Sequence, residues 1–198
     1  MLFNSTVFIL AFLPLTLGAY YLLAERPTGR RVALAVASTA FYAWWDPRLV
    51  PLLVGSVTAN WLLVEAVRRT HRRWLLVAAV VLNLGLIGIF KYADFFAGTL
   101  ASLTGTPHEP FNIVLPLGIS FFTLQQISYV VDVQRGSKAH YSFLDYYLFV
   151  TFFPQLVAGP IVRHSEIIGQ FALDPRRSGL WERLTRGMVL FLIGTAKK

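Results

Sequence analysis

Gln125, Ser128, Tyr129 and Asp132 follow one another at the spacing i, i+3, i+4, i+7. A helix would set that amide, two hydroxyls and a carboxylate on one stripe. Such a stripe can hold or orient a polar substrate. Its setting is unusual, because from Phe111 to Val131 the chain reads FNIVLPLGISFFTLQQISYVV with no charge, and Asp132 is the first. That run is long enough to cross a bilayer, which takes about 20 apolar residues. Polar groups inside hydrocarbon are costly unless they face a bundle interior or a wet cavity. The run therefore reads as the wall of a site. Gln125, Ser128, Tyr129 and Asp132 are tunnel-lining candidates, with interhelical hydrogen bonding an equal alternative.

Four histidines could supply a base. His71 sits in the basic run RRTHRR, and His108 and His140 lie in loops. His164 follows GPIVR at the edge of a proline-broken stretch, where imidazole could act; a lone interfacial histidine fits a structural role better. No catalytic residue is assigned. Arg163 could meet the phosphates of a coenzyme-type donor, or anchor a span end among lipid headgroups. Pro154, Gly159 and Pro160 shape backbone, and Lys91 and Asp94, one helical turn apart, could pair as ions. No His, Asp or Glu pair has ligand spacing such as HxxxH, so no metal is expected. The absence of cysteine excludes disulfides and thiol catalysis.

The elements that must position these residues are apolar. Hydrophobic residues make up 56% of the 198 and charged residues 14%, against about 25% charged in a soluble domain. The charges gather between long apolar runs, which predicts an all-α, multi-pass transmembrane bundle. The runs are Phe3 to Ala24, Val32 to Trp45, Leu49 to Val64, Trp74 to Phe90 and the charge-free run above. Phe3 to Ala24 lacks a basic n-region and a small-residue cleavage site, so it reads as a retained span. Asp46-Pro47 predicts a tight turn, and Tyr92 to Pro110 a mixed, turn-rich connection. From Tyr141 to Arg163, Pro154, Gly159 and Pro160 interrupt an apolar stretch. Irregular backbone at membrane depth must be buried or line a cavity, so a broken or re-entrant element is expected there. Beyond it the chain reads as interfacial, with a short apolar run from Gly187 to Thr195.

The net charge of +8 sits between spans and not on a soluble face, so it reads as orientation and not as nucleic-acid binding. Arg26, Arg30 and Arg31, then Arg68, Arg69, Arg72 and Arg73, then Arg135 and Lys138 occupy alternate loops, while the intervening loops hold Arg48 and Lys91. The positive-inside rule then places the N-terminus outside and the basic loops in the cytoplasm. Trp44, Trp45, Trp74, Tyr92 and Trp181 fall near expected span ends, as an aromatic belt would.

Two stretches carry a family resemblance: LPLGISFFTLQQISYVVDVQRG (Leu115 to Gly136) and FFPQLVAGPIVR (Phe152 to Arg163). Together they resemble the membrane-bound O-acyltransferase family, in the bacterial branch of alginate O-acetylation. The N-terminal MLFNSTVFILAFLPLTLGAYYLL, the segment FYAWWDPRLVPLL and the terminal FLIGTAKK are similar to that branch too. The resemblance implies that residues 1–198 are the N-terminal part of a single transmembrane domain of a bacterial plasma-membrane protein. It implies transfer of an acetyl or acyl group from a cytoplasmic thioester, acetyl-CoA or an acyl carrier, with no bound cofactor. The acceptor would be a hydroxyl of an extracytoplasmic polysaccharide, directly or through a partner acetyltransferase. The family's signature histidine belongs to a later part, so this stretch is expected to lack it. The alternatives are a non-catalytic membrane assembly subunit, or a transporter, since broken helices and midplane polar residues also mark substrate pathways.

Overall fold

The computed structural model describes residues 3, 5–107, 109–137, 139–156 and 162–196. Every regular element among them is helical. Residues 8–12 form a π turn that runs into α1 (Leu13–Leu22). Then come α2 (Pro27–Ala43), a 3-10 turn (Pro47–Leu49), α3 (Val50–Thr70) and α4 (Arg73–Ile87). A second π turn (Gly88–Tyr92) joins α4 to α5 (Ala93–Thr104). The rest are α6 (Ile119–Gln134), α7 (Phe143–Thr151), α8 (Phe153–Leu156), α9 (His164–Ala172) and α10 (Leu180–Ala196).

Local chemistry sets these boundaries. Pro27 opens α2, where a missing N–H costs nothing. Asp46 accepts from the Arg48 backbone N–H and turns the chain into α3. Ser142 caps α7 through the Asp145 N–H. His71 and Gly105, both at positive φ, end α3 and α5.

Two continuous helices, Pro47–Thr70 and Arg73–Thr104, are long and apolar enough to cross a membrane; Phe8–Leu22 is apolar but shorter. Val77, Val81, Leu84, Phe95, Phe96, Leu100 and Leu103 leave the second of these with a broad exposed apolar surface. An apolar exterior of that extent suits lipid contact.

Several sequence expectations need correction. The run Phe111 to Val131 is not one helix, because α6 begins only at Ile119. Pro116 cannot continue a helix from upstream, and Gly118 sits at φ 68°. A Cβ at Gly118 would strike the Leu156 carbonyl. Tyr92 to Thr104 is helical and not a turn-rich loop, so Tyr92 lies inside a long helix and not at its end. Arg30 and Arg31 belong to α2, and Arg68 and Arg69 to the last turn of α3. α10 starts at Leu180, ahead of the apolar run from Gly187. The expected interruption at Pro154 falls instead at Phe152, between α7 and α8, and Pro154 lies in the first turn of α8; Gly159 and Pro160 lie outside the described residues, as do His108 and Lys138.

The bundle packs around α6. Tyr42, Leu53, Val57, Phe122, Tyr129, Val130, Tyr146 and Phe149 form the buried core. A smaller cluster of Phe8, Phe41 and Phe153 joins the N-terminal turn to α2 and α8. The basic ends come together: Arg68 donates to the Ala139 carbonyl at 2.6 Å, and Gln134 donates to the His71 carbonyl. The C-terminal ends of α3 and α6 are therefore neighbours, and Arg31 reaches Asp145 of α7 at 2.7 Å on that side.

Candidate functional site

At this basic end the polar stripe of α6 meets a partner from α9. The Asp132 carboxylate lies 3.3 Å from Nε2 of His164. Nδ1 of the same ring lies 3.0 Å from the Tyr141 hydroxyl. A carboxylate only accepts, so the neutral ring donates from Nε2 and accepts from the Tyr141 O–H at Nδ1; the tautomer follows from its partners. Tyr129 packs edge-on against the imidazole, ring centres 4.9 Å apart, and its hydroxyl accepts from Arg68 at 3.2 Å. Phe149 and Tyr141 complete the aromatic collar.

Burial is uneven. The His164 side chain is 7% exposed and that of Asp132 is 34% exposed. Tyr141 is half-buried. Burial pushes the His164 imidazole below its ordinary value, and this outweighs the opposite pull of Asp132. Burial likewise raises the Tyr141 phenol. The ring is thus held neutral, as a base must be, with a phenol that keeps its proton until something takes it.

The structure divides the residues singled out in sequence. Tyr129 and Asp132 join the cluster. Gln125 is buried and Ser128 half-buried on the same helix without joining it. Arg163 is exposed and immediately precedes His164, at the N-cap of α9. His164 is not the lone interfacial residue that its loop-like neighbourhood suggested, because the partners come from segments far away in the chain. His140 is exposed, 3.4 Å from Glu65, and His71 is the left-handed cap of α3. Asp94 accepts from the Phe111 backbone N–H at 2.7 Å, and Lys91 lies over the Tyr92 ring.

A second polar group was missed. Gln126, fully buried, donates to Ser56 and Asn83 and accepts from Tyr146. Asn83 and Asn60 exchange amide hydrogen bonds, the shorter at 2.6 Å. This network ties α3, α4, α6 and α7 together at mid-bundle. It is closed on itself, which marks it as structural.

A groove of about 1070 Å³ runs along the other side of α9, between α1 and α10. Phe8, Leu17, Phe153, Ile167 and Phe191 line its body, and Arg177 and Arg183 stand at one end. None of Gln125, Ser128, Tyr129, Asp132 and Arg163 is among its lining residues.

Fold and site together define an all-helical chain with an apolar exterior and a carboxylate–imidazole–phenol cluster at its basic end. Along its whole length this chain is 36% identical, over 230 aligned positions, to the "Peptidoglycan O-acetyltransferase" of Helicobacter pylori, of which it covers 44%. It is 38% identical over 209 positions to the "Probable alginate O-acetylase AlgI" of Pseudomonas aeruginosa, covering 39%, and 38% identical to its namesake in Azotobacter vinelandii, covering 41%. The chain thus spans about two fifths of the length of the curated relatives it matches. These names bear out the resemblance to the alginate O-acetylation branch of the membrane-bound O-acyltransferases. No family model and no solved structure matches the chain.

Proposed function

We propose that this chain is the N-terminal part of a single membrane-bound O-acyltransferase domain in a bacterial plasma membrane. It moves an acetyl or acyl group from a cytoplasmic thioester, acetyl-CoA or an acyl carrier, to hydroxyls of an extracytoplasmic polysaccharide, alginate-like or a cell-wall glycan. An extracytoplasmic acetyltransferase is the expected partner. The carrying observation is the whole-length match to proteins named for O-acetylation of peptidoglycan and alginate.

Physical features support that reading. Two long apolar helices and an apolar exterior suit a membrane. The basic residues Arg31, Arg68 and Arg69 gather at one end, which the positive-inside rule puts in the cytoplasm with the N-terminus outside. A thioester donor approaches from that side. On this reading the family's signature histidine lies in another part of the domain, and this stretch supplies the donor-side wall.

Deleting the coding region and measuring base-labile acetate on isolated cell-wall glycan and exopolysaccharide tests this. Loss of acetate from one of the two, restored by a plasmid copy, is expected. Unchanged acetate on both overturns the reading.

A further inference from the structure

We propose that Tyr141 is an acyl-carrying nucleophile, activated by His164 and Asp132, which takes the acyl group from the thioester donor at the basic end of the bundle. This rests on the acyl-transfer reading and names the residues that would perform its first half.

The geometry carries the argument. Three side chains from three segments meet in the order carboxylate, imidazole, hydroxyl, at 3.3 and 3.0 Å. That order gives each atom one role. Asp132 fixes the proton on Nε2 and stabilises the imidazolium that forms, and Nδ1 is left facing an O–H it can deprotonate. A mere clamp between α6 and α9 needs only the first contact. The ring is shut away from water while Tyr141 stays half-exposed, so the base is shielded and the nucleophile remains reachable.

The surroundings suit a phosphate-bearing donor. Arg135 caps α6 one turn after Asp132, and Arg163 adjoins His164; both are exposed. Arg68 lies between Tyr129 and the Ala139 carbonyl, two residues before Tyr141. A positive rim of this kind attracts the diphosphate or phosphopantetheine of an acyl donor.

The step balances without an oxidant or a further reactant. The Tyr141 oxygen attacks the thioester carbonyl carbon as its proton passes to Nδ1 of His164. The C–S bond breaks, and the departing thiolate takes that proton and leaves as thiol. Tyr141 is left as an aryl ester. A hydroxyl of the next carrier in the relay toward the outer face then attacks the ester and gives up its proton through His164, and the phenol is restored. Phenol ionises near about 10 and a thiol near about 8.5, so the two are comparable leaving groups. The aryl ester therefore keeps most of the transfer potential of the thioester, which an alkyl ester would lose.

Purified full-length protein in lipid nanodiscs, incubated with radiolabelled acetyl-CoA, acid-quenched and digested, tests this by mass spectrometry. An acetyl group on Tyr141, removed by neutral hydroxylamine, is expected in the wild type. Tyr141→Phe should abolish it, and His164→Gln should slow loading by at least about 100-fold. The wild-type adduct needs no variant to fold. An adduct found only elsewhere, or none under conditions where glycan is acetylated, overturns the proposal. If Tyr141→Phe cells keep wild-type glycan acetate while the deletion strain loses it, the carrier role fails and the acyltransferase reading stands.

Discussion

Asp132 Oδ2 stands 3.3 Å from His164 Nε2, and this contact ties the C-terminal part of α6 to the first residue of α9. The two groups share a close polar contact but not an environment. A third of the carboxylate's surface meets solvent, while the ring is enclosed by Tyr129, Tyr141 and Phe149. Ionic attraction is thus screened on one side, and desolvation of the ring sets its proton affinity.

That imbalance gives stability a pH dependence of definite sign. The imidazole ionises below its ordinary 6.5 in the folded protein, so the unfolded chain binds the extra proton first. His164 contributes its full stability above pH 6.5 and loses it as pH falls through the lowered folded value. Thermal unfolding in detergent at pH 7.5 and pH 5.5 should show an acid-side drop. His164→Gln should flatten that drop, and an equal drop in the variant would refute the assignment.

Gly118 should not tolerate a side chain. Its φ of 68° and the Leu156 carbonyl against its α-carbon both oppose a Cβ. Gly118→Ala is expected to cost at least about 2 kcal/mol, lowering the melting temperature by roughly 4–8 °C. A melting curve identical to wild type would count against this approach of Gly118 to Leu156.

The buried amide network should be cooperative. Asn60→Ala and Asn83→Ala each strand a fully buried partner, at about 1–3 kcal/mol. Because each change removes the same mutual bonds, the double variant should cost less than the sum of the singles. A double-mutant cycle giving strict additivity would show that the two amides do not pair.

Arg30 should resist conservative exchange. Fully buried, it donates to the carbonyls of Ala24, Phe171 and Leu173 at 2.9–3.0 Å. Lysine offers no planar fork to reach three acceptors at once. Arg30→Lys is expected to cost about 2 kcal/mol and to speed proteolysis between Leu173 and Leu180 several-fold. Unchanged cleavage would show that these bonds do not restrain the segment.

The α6 stripe was legible because period and polarity coincide there, and the break near Pro154 because proline leaves few backbone options. The helical start was misplaced by a composition argument: lack of charge says nothing about φ, and Pro116 and Gly118 were the signals to heed. His164 could not be paired in advance. Its partners Asp132 and Tyr141 are distant in sequence and come together only through the packing of α6, α7 and α9. Asn60, Asn83 and Gln126 left a readable trace, since a lone amide in an apolar run needs a partner at its own depth. The resemblance located the family; it did not single out the Asp132–His164–Tyr141 cluster.

Arg30 has a consequence for how α9 responds to its surroundings. A guanidinium keeps its proton throughout the biological range, so the Phe171 end of α9 is bolted to α2 at any pH. The His164 end is held by a group that does titrate. The helix is therefore a lever with one fixed pivot and one acid-labile catch. Acidification would weaken the hold at His164 and leave the one at Arg30 unchanged.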